Sequence, residues 1–356
     1  MKKVTSYDVA SKAGVSRATV SLVLNGSTAV SISPETRSRV LEVAKELNYQ
    51  PNRAGRMLVR GRTETLGIVV TDPVLLAVDG FIALLLQAVI AKSREDGYRV
   101  MIDYIGNDGQ KTYRDLINEG AVDGLLVISP RVGDADLLAV VESGFPVVLI
   151  GSINHPGEVS SMIQTENAFA EIVDHLTGLG HERIAYVSFG PAGIAAADQR
   201  IEYYRTALST KGLEYDPALV VHAAYSARSG KIATSRLLQE SDLAPTAIIA
   251  GNDTIAIGVL SAVAETGLGV PEDISVVGFD DLPISTCLLP PLTTVHHDIV
   301  QRARSAVETL ILRVRGQPTA TRQLELPTSL IIRESTGPVR ESAYQRAEQD
   351  QLSRKR

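Results

Sequence analysis

The sequence predicts an α/β protein in which a three-helix N-terminal head and a hinge segment precede two lobes, each a doubly wound parallel sheet. Three observations carry that prediction. Residues 6–47 hold three short helical patterns with their own start and stop signals. Beyond Thr65, apolar strand-like runs alternate with amphipathic helical stretches, in two successive series. Charge divides at the same place: residues 1–62 hold eleven basic and four acidic residues, a net of +7, whereas residues 63–356 hold 24 basic and 37 acidic, a net of −13. A basic head suits a polyanion, and an acidic body is repelled by one. At a soft prior of roughly 150 residues per domain, 356 residues make two or three domains.

In the head, Ser6 is placed to cap the first helix, whose Val9, Ala10 and Ala13 form an apolar face and whose stop is Gly14. Ser16 caps the second, with Val20, Val23 and Leu24 on one side and Asn25-Gly26 at the end. For the third, Ser33 is the cap and Pro34 the first helical residue, after which Val40, Val43, Ala44 and Leu47 recur at helical spacing. Two short helices joined by a glycine-containing turn, with a third against them, make a helix-turn-helix, whose second helix enters the major groove. The front of that helix, Ser16-Arg17-Ala18-Thr19, is polar and basic, as base edges and phosphates require. The competing reading, a plain three-helix bundle, does not account for that front or for the charge around it.

The head resembles that of the lactose-repressor family of bacterial transcription regulators. The resemblance rests on Thr5-Ser6-Tyr7-Asp8-Val9-Ala10, Ala13-Gly14-Val15-Ser16, Thr19-Val20-Ser21 and Val23-Leu24-Asn25-Gly26. Ser33-Pro34-Glu35-Thr36-Arg37 and Leu47-Asn48-Tyr49-Gln50-Pro51-Asn52 continue it in order and without a gap. It implies DNA contacts from Ser6, Tyr7, Ser16, Arg17, Ala18, Thr19, Ser21, Asn25, Asn52, Arg56 and Leu58. Arg17 and Ala18 fall where relatives vary with operator sequence, and Leu22 stands where many have arginine. Residues 53–60 align with a hinge helix in which Leu58 wedges into the minor groove, an apolar insertion that kinks the duplex between arginines that neutralise phosphate. Gly55 lowers helix propensity there by about 1 kcal/mol relative to alanine, so the free hinge is expected to stay unfolded until two chains and DNA assemble it.

In the body, strands are expected at 66–70, 99–104, 125–128 and 147–150, with helices near 80–96, 110–119 and 134–143. The second series places strands at 183–189, 246–250 and 274–279 and helices near 166–178, 197–211, 228–240 and 253–266. Doubly wound sheets often bind nucleotides, but the first strand runs into Thr71-Asp72-Pro73 rather than a glycine-rich phosphate turn. Gly267 and Gly269 are followed by Glu272 where a third glycine is needed, and no P-loop pattern exists. His296 and His297 are adjacent and so point apart on an extended chain, without further ligands at useful spacing. Gly151-Ser152 lacks a nucleophile-elbow pattern. These absences disfavour an enzyme, and no metal or cofactor is expected. A cleft between the lobes that binds a small ligand unchanged is the remaining reading.

The family resemblance extends to about Gly337, through Asp123-Gly124, Gly180-His181, Gly251-Asn252-Asp253, the run 271–281, the run 291–295 and Arg333-Glu334-Ser335. It implies lobes like those of periplasmic binding proteins, a homodimer, a palindromic or near-palindromic double-stranded operator, and a small polar effector, a sugar or sugar derivative. Its ligand positions fall on Asp79, Phe81, Arg200, Asn252 and Asp280, with Tyr225 where relatives place an aromatic wall. A guanidinium, an amide and carboxylates can grip hydroxyls while an aromatic face stacks on a ring. For Asp280 alone a structural cap competes with ligand contact. Gly151 replaces an aspartate common in relatives, and Val74–Val78 is an unusually apolar flank. Control by a protein partner such as a phosphocarrier protein is the alternative; a sugar-metabolising enzyme is remote.

The expected division is a DNA-binding head over 1–50, a hinge over 51–63, an effector-binding and dimerising body over 64–337, and a polar tail over 338–356 without leucine heptads. Cys287, the single cysteine, excludes a disulfide framework and a multi-cysteine zinc site and fits a reducing cytoplasm. The longest apolar run, 81–91, is broken by Gln87 and short of the roughly 18 residues of a membrane span. Asp8, Lys12 and Arg17 interrupt any signal-peptide core behind Met1-Lys2-Lys3, so neither export nor a membrane partner is expected.

Overall fold

A computed structural model describes residues 4–24, 30–49, 61–106, 111–131, 133–240, 245–319 and 323–339. The chain divides into two compact units, Met1–Glu64 and Thr65–Arg356.

The first unit contains helices Ser6–Ala13, Arg17–Leu24 and Pro34–Glu46. The first cap differs from expectation: it is Thr5, and Ser6 is already helical. Asp8 lies three residues beyond Thr5, the capping-box spacing, and its carboxylate accepts from the Thr5 amide at 2.8 Å and hydroxyl at 2.7 Å. The other two caps are as read, with Ser16 Oγ accepting from the Thr19 amide at 3.1 Å and Ser33 Oγ from the Thr36 amide at 3.2 Å. Gly14 takes a left-handed φ of 68°, which a side chain would resist. Val9, Val20 and Val40 meet at the centre of a small core with Ala10, Ala13, Val23, Val43 and Ala44.

The second unit holds two six-stranded sheets. The first is ordered β11-β5-β4-β3-β1-β2, from Thr65–Val70 (β1), Arg99–Tyr104 (β2), Gly124–Ile128 (β3), Val147–Ile150 (β4), Ser160–Ile163 (β5) and Gln323–Leu326 (β11). The second is ordered β12-β10-β9-β8-β6-β7, from Ile184–Ser188 (β6), Val220–His222 (β7), Ala247–Ala250 (β8), Ser275–Phe279 (β9), Thr293–His296 (β10) and Ser329–Ile331 (β12). Every pair is parallel except β10 with β12. β3, β4, β6, β8 and β9 are buried throughout, because helices cover both faces, and they read as continuous apolar runs for that reason.

The two lobes are not two successive halves of the chain, as the two series suggested. Helix Ile299–Val314 returns to the first sheet and packs on β3, β4 and β5, and β11 then joins that sheet while β12 joins the other. β5 begins Ser160-Ser161 and β10 begins Thr293-Thr294, so neither stands out as an apolar strand. Val74–Val78 forms a short helix that buries Leu75 and leaves Val74 and Leu76 exposed. In each sheet the order reverses beside the first strand, β1 or β6, and the carboxyl ends of strands at such a switch point are where open α/β sheets bind ligands.

Candidate effector pocket and DNA-facing helix

One partly open cavity of about 70 Å³ lies at those carboxyl ends. Both sheets contribute to it: Ser129 follows β3, Gly151 follows β4, Phe189 follows β6, Asn252 follows β8 and Asp280 follows β9. Of the six ligand positions expected from sequence, Asp79, Phe81, Arg200, Asn252 and Asp280 line it together.

Asp79 and Asn252 are both helix N-caps, one from each lobe. Asp79 Oδ1 accepts from the Phe81 amide at 3.0 Å at the start of helix Gly80–Glu95, and Asn252 Oδ1 accepts from the Ile255 amide at 2.8 Å at the start of helix Asp253–Glu265. The caps meet, with Asn252 Nδ2 3.4 Å from Asp79 Oδ2. Two helix amino ends thus face one cavity and favour negative charge there. Arg200, on helix Ala195–Thr210, donates through Nη1 to the Gly251 carbonyl and lies over the rings of Phe279, 3.8 Å from its centroid, and Phe189, at 4.9 Å. Asp280 holds a φ of 108°, which directs the chain sharply after β9, and its Oδ1 lies 3.2 Å from Nε2 of the buried His297.

Burial sets the charge states. Desolvation, together with the nearby Asp280 charge, raises the Asp79 pKa to about 7; desolvation raises Asp280 to about 7 against the pull of Arg200 and Arg302. His297 is held neutral by burial first and then by the two guanidiniums. Asp253 is buried, with its pKa raised to about 7, but it is structural: it accepts from the Leu282 amide and the Ser285 and Thr294 hydroxyls at 2.6–2.7 Å.

Tyr225 stands apart from the other five expected positions. It is only 3% exposed and does not line this cavity; Phe189 and Phe81 supply its aromatic surfaces. Its backbone, at a φ of 64°, donates to the Phe189 carbonyl at 2.8 Å and turns the ring toward a second, wider cavity with Asp72, Arg131 and Ile194. Sequence reading also missed Arg302, 7% exposed, which lines the pocket from the returning helix. Its only visible signal was an arginine on the apolar face made by Ile299, Ala303, Ala306 and Leu310. Of the histidine pair, His296 Nδ1 lies 2.9 Å from Asp281 and His297 faces Asp280, and no three candidate metal ligands cluster among the described residues.

In the head, Tyr7, Ser16, Arg17, Ala18 and Ser21 are exposed, whereas Val20 and Val23 on the same helix are buried. The second helix therefore presents Arg17, Ala18 and Ser21 outward. Ser6 and Thr19 are half-buried: Ser6 Oγ accepts from Arg17 Nε at 3.3 Å and Thr19 Oγ1 lies 2.9 Å from Ser16 Oγ. Asn25, Asn52, Arg56 and Leu58 lie outside the described residues. Among the described residues no helix is long and apolar enough to cross a membrane.

Residues 5–52 match the profile of bacterial regulatory proteins of the lacI family, and residues 173–336 match a periplasmic binding protein-like domain. The lactose operon repressor of Escherichia coli (strain K12) is 33% identical over 360 residues, spanning 99% of this chain and 96% of that protein. Among solved structures, a lac repressor dimer bound to operator and the anti-inducer ONPF is 31% identical with a TM-score of 0.82, over 94% of this chain and 100% of that one. A complex of the transcriptional regulator CelR with cellobiose is 32% identical with a TM-score of 0.71, at the same coverage. With a helix-turn-helix head, two parallel-sheet lobes and full-length relatives that regulate transcription, the chain belongs to the lacI family of bacterial regulatory proteins and is a transcriptional regulator, not an enzyme.

Proposed function

We propose that this regulator is a homodimeric repressor of the cytoplasm, with a head over 1–50, a hinge over 51–63 and a body over 64–337, whose affinity for a palindromic operator changes when a small polyhydroxylated effector enters the cleft. The observation that carries the reading is the convergence of Asp79, Arg200, Asn252 and Asp280, two N-caps, a guanidinium and a strand-end carboxylate, on one cavity. Such a set offers acceptors and donors to hydroxyls on several sides, and Phe81 and Phe189 offer apolar faces to a ring. Two solved relatives add support, one described with a dimer on operator DNA and the other with cellobiose. The effector acts by linkage: it can move operator affinity only by as much as it prefers one lobe arrangement over the other.

The test is a thermal-shift screen of sugars against the full-length chain, followed by operator titration with and without each hit. A ligand at 100 times its Kd adds about 2.7 kcal/mol to the body's stability. Arg200→Ala is expected to abolish both the shift and the operator response. If no sugar binds and a phosphocarrier protein does, the effector reading is wrong and the protein-partner alternative replaces it.

A further inference from the structure

The returning helix Ile299–Val314 buries a guanidinium in the pocket wall. Arg302 is 7% exposed, and its Nη2 donates to the Ser161 carbonyl at 2.8 Å. Its Nε has no hydrogen-bond partner. Asp280 acts on it electrostatically but makes no hydrogen bond to it, and its Oδ1 lies against His297 Nε2. Beside it, Phe81 presents a ring 5.8 Å from the guanidinium carbon. Among the described residues no carboxylate lies within ion-pair distance of Arg302 or of Arg200, the second guanidinium of the same cavity. A buried arginine held only to anchor β5 would need one nitrogen for Ser161, and leaving another donor without a partner is costly in a dry site.

The charge of the wall points the same way. The carboxylates lining the cavity are Asp79 and Asp280, and Gly151 contributes no side chain. Burial raises both carboxyls toward neutrality, so their negative charge is reduced while the two guanidiniums of the wall stay positive. His297, facing Asp280, stays neutral.

Building on the effector reading above, we propose that the effector is an acidic polyhydroxylated molecule, with a carboxylate or phosphate ester that Arg302 recognises. A planar guanidinium whose Nε–H has no partner keeps donor capacity for an oxyanion. Asp79 and Asn252 then take hydroxyls, and a protonated Asp280 donates where an ionised one would repel.

The test uses the full-length chain and calorimetry at pH 7 with glucose and galactose, their uronates, and their 6-phosphates. The expected result is that at least one acidic sugar binds tenfold or more tighter than its neutral parent; the uronate and phosphate arms separate the two anions. Arg302→Met is expected to erase that preference, and Arg302→Lys, which keeps the charge but not the fork, to retain part of it. Acid binding is expected to weaken from pH 6 to pH 8, because an anion beside Asp79 and Asp280 draws protons onto them. Should Arg302→Met fail to fold, the wild-type ratio and Arg302→Lys decide. Neutral parents binding as tightly as their acids, or a preference that survives Arg302→Met, would overturn the proposal while leaving a sugar effector standing. Binding by no member of the set, neutral or acidic, would overturn both.

Discussion

Replacing Asp280 by Asn should stabilise the body, and by more at pH 8 than at pH 5. The side chain is 4% exposed, and its pKa of about 7 stands against an ordinary 3.8. Between those values the folded chain holds a proton that the unfolded chain releases, so stability falls as pH rises through that window and the full penalty is in place above pH 7. At about 1.4 kcal/mol per pKa unit, the penalty is on the order of 4 kcal/mol at pH 8 and well under half of that at pH 5. Asn keeps an oxygen that can accept from His297 Nε2, and it tolerates the φ of 108° better than most residues. It also removes the negative charge that raises the Asp79 pKa. The excess gain at pH 8, a few kcal/mol, corresponds to a few degrees, on the order of 5 °C, for a domain of this size. Burial of His297 acts in the opposite direction, weakening the fold as pH falls through the ordinary histidine range, and it is common to both proteins. Calorimetric scans of wild type and Asp280→Asn at the two pH values read the difference directly. A melting difference that is equal at pH 5 and pH 8, or a variant less stable at pH 8, would refute the assignment of Asp280 as a carboxyl kept part-protonated by burial.

Gly258→Ala should destabilise the body by about 3 kcal/mol in urea unfolding, since its Cβ would lie 2.0 Å from the Ala227 carbonyl oxygen and 2.5 Å from the Lys231 nitrogen; a loss under about 1 kcal/mol would show that helices Ala227–Glu240 and Asp253–Glu265 separate freely. Deleting residues 1–62 should abolish DNA binding while the remainder still melts cooperatively, and full-length binding should weaken with salt by a slope of about −0.9 per neutralised phosphate. A headless fragment that still shifts DNA would contradict that division. Leu58→Ala should weaken operator binding far more than binding to random duplex, because a wedge acts only where the central step can kink; equal losses on both duplexes would rule out insertion.

Helix boundaries in the head were legible because caps and stops are local chemistry. Ser16, Ser33 and Pro34 act where they stand, and the one shift, from Ser6 to Thr5, came from two hydroxyl residues side by side with Asp8 at the right distance from only one of them. Central strands were legible because burial on both faces demands unbroken apolar runs. The return of helix Ile299–Val314 to the first lobe was not, because its apolar stripe fits either sheet and only the tertiary arrangement selects one. Asp79, Arg200, Asn252 and Asp280 were brought together by family motifs and line one cavity, whereas Tyr225 lines the neighbouring one. Arg302 carried no motif; an arginine on an apolar helix face is ordinarily a snorkelling surface residue, and only its burial distinguishes it.

The pocket also explains why a small molecule can decide between lobe arrangements in the proposed mechanism. The polar contacts that join the lobes beside it are long, with Asn252 Nδ2 at 3.4 Å from Asp79 Oδ2 and the Gly80 amide at 3.4 Å from Thr254 Oγ1. Hydrogen bonds at that length contribute little. Within each lobe the same residues are held firmly, Asp79 and Asn252 by their own helix caps at 3.0 and 2.8 Å. A ligand that bridges the two caps therefore meets groups already oriented, and it strengthens the contact between lobes without disturbing the contacts inside them. Each 1.4 kcal/mol of that difference shifts the balance of arrangements about tenfold, so one or two well-made bonds across the cleft suffice to move operator affinity by the amounts typical of allosteric coupling.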